Sequence, residues 1–239
     1  MQVSIIPCLK DNYAYIVRPE GAMVCAVVDA CEAGPIERAL DELGLPLGAI
    51  LSTHHHADHV GGNETLVRRF PGIPVFGSAH DSGRIPAQNR FVDDGDTIDV
   101  VGLSFRCLLI PGHTLGAVAY VGHGAVFTGD TMFAAGCGRL FEGTPAMMYE
   151  SLYQKLGALP DETLVYFGHE YTANNLRFAA VIEPDNRHVT EKVERVAAAR
   201  ASGHYTTPST IGEERLTNPF MRSGSAERLG EIRALKDQF

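Results

Sequence analysis

Ser52-Thr53-His54-His55-His56-Ala57-Asp58-His59-Val60-Gly61-Gly62 follows directly on the apolar run Ala49-Ile50-Leu51. A short aliphatic run bounded by turn formers reads as a buried strand, so the cluster lies where a strand leaves its sheet for a loop. Side chains alternate while a chain stays extended, which turns His54 and His56 one way and His55 the other. A turn then brings Asp58 and His59 round. Packing has no use for so many polar groups at the end of a buried strand, because each costs free energy unless it is bonded. Imidazole and carboxylate are the donors that hold zinc and related divalent ions.

Working outward, three later strand ends supply further donors: Leu109-Ile110-Pro111-Gly112-His113-Thr114, Phe127-Thr128-Gly129-Asp130 and Tyr166-Phe167-Gly168-His169-Glu170. In each, a polar residue follows a glycine after an apolar strand, as where strand ends converge on a site. His113 or His169 alone would be an ordinary histidine and Asp130 a turn residue; the cluster at 54–59 gives them weight. The assignment gives one ion His54, His56 and His113, the other Asp58, His59 and His169, and makes Asp130 a bridge. Positions remain for a bridging water, so the site is catalytic and not closed. Water on such ions can fall from a pKa of 15.7 to about 7, which makes hydroxide the nucleophile at neutral pH. His55, His80, His123, His188 and His204 have no such context. Asp29, at the end of run 23–28, reads as a turn residue or as a partner that orients a ligand.

Short apolar runs at 3–6, 13–17, 23–28, 49–51, 105–110, 118–121, 125–127 and 164–167 read as strands, with helix-like stretches at 35–43, 63–70 and 145–156 between them. Strands with interspersed helices imply a layered α/β core. From about residue 173 the spacing turns helical, over 173–182, 189–201 and 226–235, and Leu229, Ile232 and Leu235 form one apolar stripe. The expected domains are therefore 1–172 and a mostly helical 173–239.

At 239 residues, 45% hydrophobic and 21% charged, the chain has ordinary globular composition. Its formal charge of −9 opposes a polyanionic partner such as RNA. Neither an apolar run long enough to span a membrane nor a leader-like opening is present in MQVSIIPCLKDNY, so the chain reads as cytoplasmic. Cys8, Cys25, Cys31, Cys107 and Cys137 are odd in number and include no C-x-x-C pair, which suits buried thiols in a reducing compartment.

The H-x-H-x-D-H cluster with the later His, Asp and His resembles the metallo-β-lactamase superfamily, whose fold is an αβ/βα sandwich with metals at one edge of the sheets. Within it, residues 53–62, GDTMFAAGCGRLFEG at 129–143, GHEYTANN at 168–175, NPFMR at 218–222 and the terminal KDQF look like glyoxalase II. The resemblance spans nearly the whole chain. It implies a sandwich with a small C-terminal helical, glutathione-binding domain, and a hydrolase that converts S-2-hydroxyacylglutathione to glutathione and a 2-hydroxy acid such as D-lactate, the second step of methylglyoxal detoxification. It further implies that a hydroxide bridging two divalent ions would attack the thioester, with Asp58 and Asp130 as the catalytic carboxylates, and that the ions would be zinc first, with iron or manganese suited to the same donors. The resemblance also implies tripeptide contacts from Arg139, Phe141, Tyr171, Asn175, Arg233 and Lys236. Arg233 and Lys236 are neighbours on one helical face, and Phe141 stands where some members carry tyrosine, which removes a hydroxyl contact. A monomer acting on a small-molecule thioester, without nucleic acid or membrane, is expected.

Rival readings share the ligand motif. A secreted zinc β-lactamase would carry an export signal and usually lacks a second site completed by His59. A glutathione-linked persulfide dioxygenase employs one iron, an RNA-processing nuclease sits poorly with the acidic balance, and a non-catalytic metal-binding module would not require Arg139, Arg233 and Lys236.

Overall fold

A computed structural model describes residues 1–239. They fall into two compact units, Met1–Leu109 with Gly116–His123, and Ile110–Leu115 with Gly124–Phe239. No helix is long and apolar enough to cross a membrane.

The first unit contains β1 (Gln2–Cys8), β2 (Asn12–Arg18), β3 (Cys25–Val28), α1 (Ala33–Leu43), β4 (Leu47–Leu51), the single turn α2 (Ala57–Val60), α3 (Asn63–Arg69), β5 (Val75–Ser78), β6 (Arg90–Val92), β7 (Thr97–Val100), β8 (Leu103–Leu109) and β9 (Val118–Gly122). The first six strands form one sheet in the order β1-β2-β3-β4-β5-β6. β1, β2 and β3 pair antiparallel, and β3 through β6 pair parallel. Parallel neighbours need a crossover; α1 supplies it between β3 and β4, and α3 between β4 and β5. Helix-covered parallel strands read as continuous apolar runs, which is why 23–28 and 49–51 show no alternation. Ile36 and Leu40 of α1 and Leu66 of α3 meet Val27, Ile50 and Val75 in one core, each exposed by 1% or less. Gly44 stops α1 at φ 64, a left-handed conformation in which glycine has no Cβ to clash, and its N–H reaches the Asp41 and Leu40 carbonyls. β7, β8 and β9 follow as an antiparallel meander.

The second unit contains β10 (Ala125–Gly129), β11 (Met132–Phe133), β12 (Gly136–Cys137), α4 (Pro145–Glu150), β13 (Leu164–Phe167), α5 (Thr172–Ile182), α6 (Arg187–Ala201), β14 (Ser209–Thr210), α7 (Ile211–Thr217) and α8 (Ala226–Gln238). β10 pairs parallel with β13, β13 antiparallel with β14, and β11 with β12 as a small hairpin. Helix starts are marked by side-chain acceptors: Thr144 for α4, Asn186 for α6, Thr210 for α7 and Ser225 for α8. α5 and α6 close on each other through Leu176, Ala179, Val189 and Val196, and bury Ala135 of the hairpin turn among them.

Two expectations change in detail. The stretch 145–156 is not one regular helix: α4 ends at Glu150, widens to a π turn over Ser151–Lys155 and tightens to a 3-10 turn over Leu156–Ala158. The tightening sets residue 157 against Leu152, where a Cβ would lie 2.6 Å from the carbonyl oxygen, an approach only glycine permits. In α8, Leu229 and Ile232 are buried but Leu235 is 47% exposed. A spacing of three falls short of the 3.6-residue turn and drifts off the buried face; Arg233, four after Leu229, takes the buried place at 6% exposure.

Ile50 lies at the centre of the first sheet, wholly buried. Ile50→Ala is expected to lower unfolding stability by about 2–5 kcal/mol, read as a shifted urea midpoint with an unchanged slope; a shift below a quarter of that would show that the neighbouring strands collapse into the space.

Candidate metal centre

The histidine cluster is organised by strand register. β3 and β4 run parallel with Val28 opposite Leu51, so the residues just beyond, Asp29 and Thr53, emerge side by side. Asp29 takes φ 52, a left-handed turn that aspartate tolerates better than most residues, and is 2% exposed. Its Oδ1 accepts from Thr53 N at 2.7 Å; its Oδ2 accepts from Thr53 Oγ1 at 2.8 Å and from His59 Nδ1 at 3.0 Å. Thr53 Oγ1 has given its only proton to Asp29, so it accepts from His54 Nδ1 at 3.1 Å. These partners assign the tautomers: His54 and His59 each carry the proton on Nδ1 and leave an Nε2 lone pair for a ligand role. Asp29 is therefore a partner orienting two donors and not only a turn residue.

The chain stays extended through His56, whose φ of −60 and ψ of 139 precede α2. His54 Nε2 lies 3.1 Å from His56 Nδ1, while His55 turns away to Asp81 Oδ1 at 2.9 Å and Arg84 Nη2 at 2.5 Å. The expected alternation is thus observed. The turn of α2 brings round Asp58 and His59, with Asp58 Oδ2 3.7 Å from His59 Nε2. Asn12 Nδ2 donates to Asp58 Oδ2 at 3.0 Å and to its carbonyl at 3.1 Å, which holds the carboxylate despite 42% side-chain exposure.

In the second unit the register of β10 and β13 sets Gly129 opposite Phe167, and Gly168 N donates to Gly129 O at 2.9 Å. The next residues are Asp130 and His169, and His169 Nε2 lies 3.2 Å from Asp130 Oδ2. Gly129 turns at φ 50 to make this possible. His113 Nε2 lies 3.6 Å from the same oxygen, and His113 Nδ1 donates to Arg139 O at 2.8 Å, again leaving Nε2 as the ligand atom. His113, Asp130 and His169 are buried, so two imidazoles converge on one carboxylate in a dry setting. Each unit thus gathers donors of the kind that hold an ion: His54, His56, Asp58 and His59 in the first, and His113, Asp130 and His169 in the second. The donor chemistry fits divalent metal ions.

The residues expected to meet a tripeptide differ in setting. Tyr171 stacks on His169 with centroids 4.7 Å apart and an interplanar angle of 6°, and the largely exposed Phe141 meets the His113 ring edge-on at 5.3 Å. Arg139 is open to solvent and 3.4 Å from Asp237. Lys236 Nζ donates to Asn174 O at 3.2 Å and sits 5.1 Å from the Phe178 and Phe239 rings; burial, reinforced by Arg233 and Arg177, pushes its pKa down to about 8. Asn175 and Arg233 are buried: Asn175 donates to Ala134 O at 3.1 Å, and Arg233 Nη1 to Cys137 O at 2.7 Å. Arg233 Nε is buried with no partner. Sequence reading missed Asn12, Asp81 and Arg84, because a lone polar residue far along the chain from its partner carries no spacing signal.

Residues 10–169 match a family model described as the metallo-beta-lactamase superfamily, and residues 170–239 match one described as the hydroxyacylglutathione hydrolase C-terminus. A hydroxyacylglutathione hydrolase of Synechococcus sp. is 46% identical over 259 residues, covering 100% of both chains. Among solved structures, ETHE1 from Myxococcus xanthus superposes with a TM-score of 0.75 at 29% identity, covering 98% of this chain and 90% of that one. TTHA1623, solved in a di-iron-bound form, superposes with a TM-score of 0.65 at 26% identity, covering 92% and 100%. With the fold and its His- and Asp-rich metal-binding site described, these likenesses agree: the chain belongs to the hydroxyacylglutathione hydrolase family of the metallo-β-lactamase superfamily.

Proposed function

We propose that the chain hydrolyses S-2-hydroxyacylglutathione, S-D-lactoylglutathione among them, to glutathione and a 2-hydroxy acid, the second step of methylglyoxal detoxification. The observation that carries this is end-to-end similarity to a hydroxyacylglutathione hydrolase in a chain whose His and Asp donors have the composition of a metal site. His54, His56 and His113 would hold one divalent ion and Asp58, His59 and His169 another, with Asp130 shared. Zinc is the first choice, and iron is supported by the di-iron-bound relative. Ions held there supply Lewis acidity, polarising the thioester carbonyl and acidifying water.

The chain's own residues do the rest. Asp29 holds the Nδ1 proton of His59 and, through Thr53, orients the acceptor for that of His54; the Arg139 carbonyl holds that of His113, and Asn12 steadies Asp58. Asp58 and Asp130 are the carboxylates that can orient the attacking water by accepting its hydrogen bonds. The leaving thiol has a pKa of about 8.5, so it departs as thiolate without a dedicated acid. Glutathione carries carboxylates, for which Arg and Lys are the natural partners. Arg139 and Lys236 offer them at the surface, Phe141 and Tyr171 add exposed aromatic faces, and the buried Asn175 and Arg233 would back the tripeptide surface from beneath by holding the hairpin carbonyls. The family matches meet at residue 170, which supports a catalytic domain of 1–172 and a helical glutathione-binding domain of 173–239. A cytoplasmic location is supported by five free, buried cysteines, and action without nucleic acid by the formal charge of −9; the chain acts as a monomer in this reading.

Three outcomes are expected. Purified, metal-quantified protein turns over S-D-lactoylglutathione and loses that activity on chelation; no turnover at full metal content would sink the reading, and Asp130→Ala or His56→Ala should abolish metal loading or turnover. Asp29→Ala, which frees two imidazoles to rotate, lowers metal affinity or activity about 10- to 100-fold, measured by competition with a chromogenic chelator; wild-type affinity would remove Asp29 from the account. Lys236, an ammonium at neutral pH, loses its charge as pH rises through about 8. KM should therefore rise on the order of 3- to 10-fold by pH 9 with kcat held, and Lys236→Arg should flatten the rise; identical KM profiles for the two proteins would refute a charge contact at this position.

A further inference from the structure

Between Asp130 and Arg139 the chain makes the β11–β12 hairpin, and side chains from much later in the sequence hold its turn. Ala135 N donates to Glu214 Oε2 at 2.6 Å. Asn218 Nδ2 donates to Phe133 O at 3.2 Å and to Gly136 O at 2.9 Å. Asn175 serves Ala134 O, and Arg233 serves Cys137 O. Ala135 itself sits at φ 53 with no exposure, a left-handed conformation that a residue with a Cβ keeps only where its surroundings enforce it.

Glu214 is fully buried, and its other oxygen accepts from Lys192 Nζ at 2.6 Å and from Ser209 Oγ at 2.5 Å. Lys192 is 3% exposed and also reaches Glu213 at 2.9 Å and Thr217 Oγ1 at 3.2 Å. A buried ion pair is a poor source of stability, since well-packed apolar residues commonly do as well. What apolar residues cannot do is present an acceptor to a buried N–H. Glu214 presents Oε2 to Ala135 N while Lys192 Nζ and Ser209 Oγ hold its other oxygen and so fix the carboxylate in place.

The hairpin has leverage on the donors. Its entry follows Asp130, and its exit delivers the Arg139 carbonyl that fixes His113 Nδ1. The two ends abut so closely that a Cβ on Gly138 would lie 2.0 Å from Asp130 O. We propose that the Lys192–Glu214 pair, with Asn218, is a positioning device for the reaction: it locks the hairpin turn and thereby sets Asp130 and the orientation of His113. The inference rests on the proposed reading of Asp130 and His113 as metal ligands. It makes the C-terminal helices part of the apparatus that shapes the metal site, in addition to their proposed role in binding the tripeptide.

The test uses the full chain in three variants. Lys192→Met with Glu214→Leu removes both charges together and leaves Ala135 N without an acceptor; Lys192→Met with Glu214→Gln removes the charges but keeps an acceptor; Asn218→Ala leaves the ion pair intact. Backbone hydrogen exchange over 131–139, metal retained against a chelator, kcat and KM, and the denaturation midpoint are measured for each. The Leu-containing double variant and Asn218→Ala should exchange about tenfold faster at 133–137 and retain metal about 10- to 100-fold less tightly. Their kcat should fall by more than the folded fraction explains, and the Gln-containing variant should recover most of both losses. Wild-type exchange and metal retention in the Leu-containing variant, or a Gln-containing variant no better than it, would overturn the proposal. If the Leu-containing variant does not fold, Asn218→Ala decides, with the same readings. Exchange and metal retention do not need a substrate, so a wild-type protein inactive on the thioester would defeat the functional reading while these measurements still judged the device.

Discussion

The Asp29 carboxylate has two oxygens and serves three donors: a backbone N–H, a hydroxyl and an imidazole. That concentration is possible only because β3 and β4 run parallel with their ends level, so that the turn after one strand faces the loop after the other. Both strands are continuous apolar runs buried against the sheet's helices, and their pairing of Val28 with Leu51 sets which residues emerge at the ends. That register therefore places a single acid where it orients His59 directly and His54 through Thr53. A ligand histidine whose Nδ1 is committed can offer only Nε2, and its ring cannot turn to hide it.

The second unit applies the same rule with different materials. A main-chain carbonyl, that of Arg139, holds His113, and a flat aromatic face, that of Tyr171, backs His169. Glycine at 129 supplies the left-handed turn that presents Asp130, and the parallel register with β13 brings His169 beside it. A carbonyl can hold an imidazole only if the backbone carrying it is itself held. The burial of Ala135 between α5 and α6 ties that condition to the packing of the C-terminal helices.

Much of this was legible in the sequence because the donors are dense and local. The cluster at 54–59 follows a strand with no alternation, and the period-two argument separates His55 from its neighbours without any structure. The later donors were legible through a repeated local pattern, an apolar strand, a glycine and a polar residue. What was not legible is either short or distant. β5, β6, β11, β12 and β14 are too brief to establish a period, and the αL turn at Ala135 carries none of the usual glycine signal. Asp81, Asn12, Lys192 and Glu214 act through partners 22 to 79 residues away, and a charged residue in a helical stretch is by default assigned to its solvent face. The stripe at 229, 232 and 235 was misjudged for a geometrical reason: a period of three lags the helix, and the arginine at 233 took the buried position.

The alternation at residues 54–56 also governs which kinds of genetic change this protein can absorb. Three consecutive histidines resemble redundancy, a stretch in which one copy could be lost. The pleat makes them unequal. Removing any one of the three would leave two, but would shift everything beyond it by a residue, present to the Asp81 side an imidazole that had faced His54, and pull α2 out of phase with Asp29. The three positions are thus not interchangeable, and a change in length, which misplaces every residue from there to Asp58 and His59, is a broader lesion than a change at one of them.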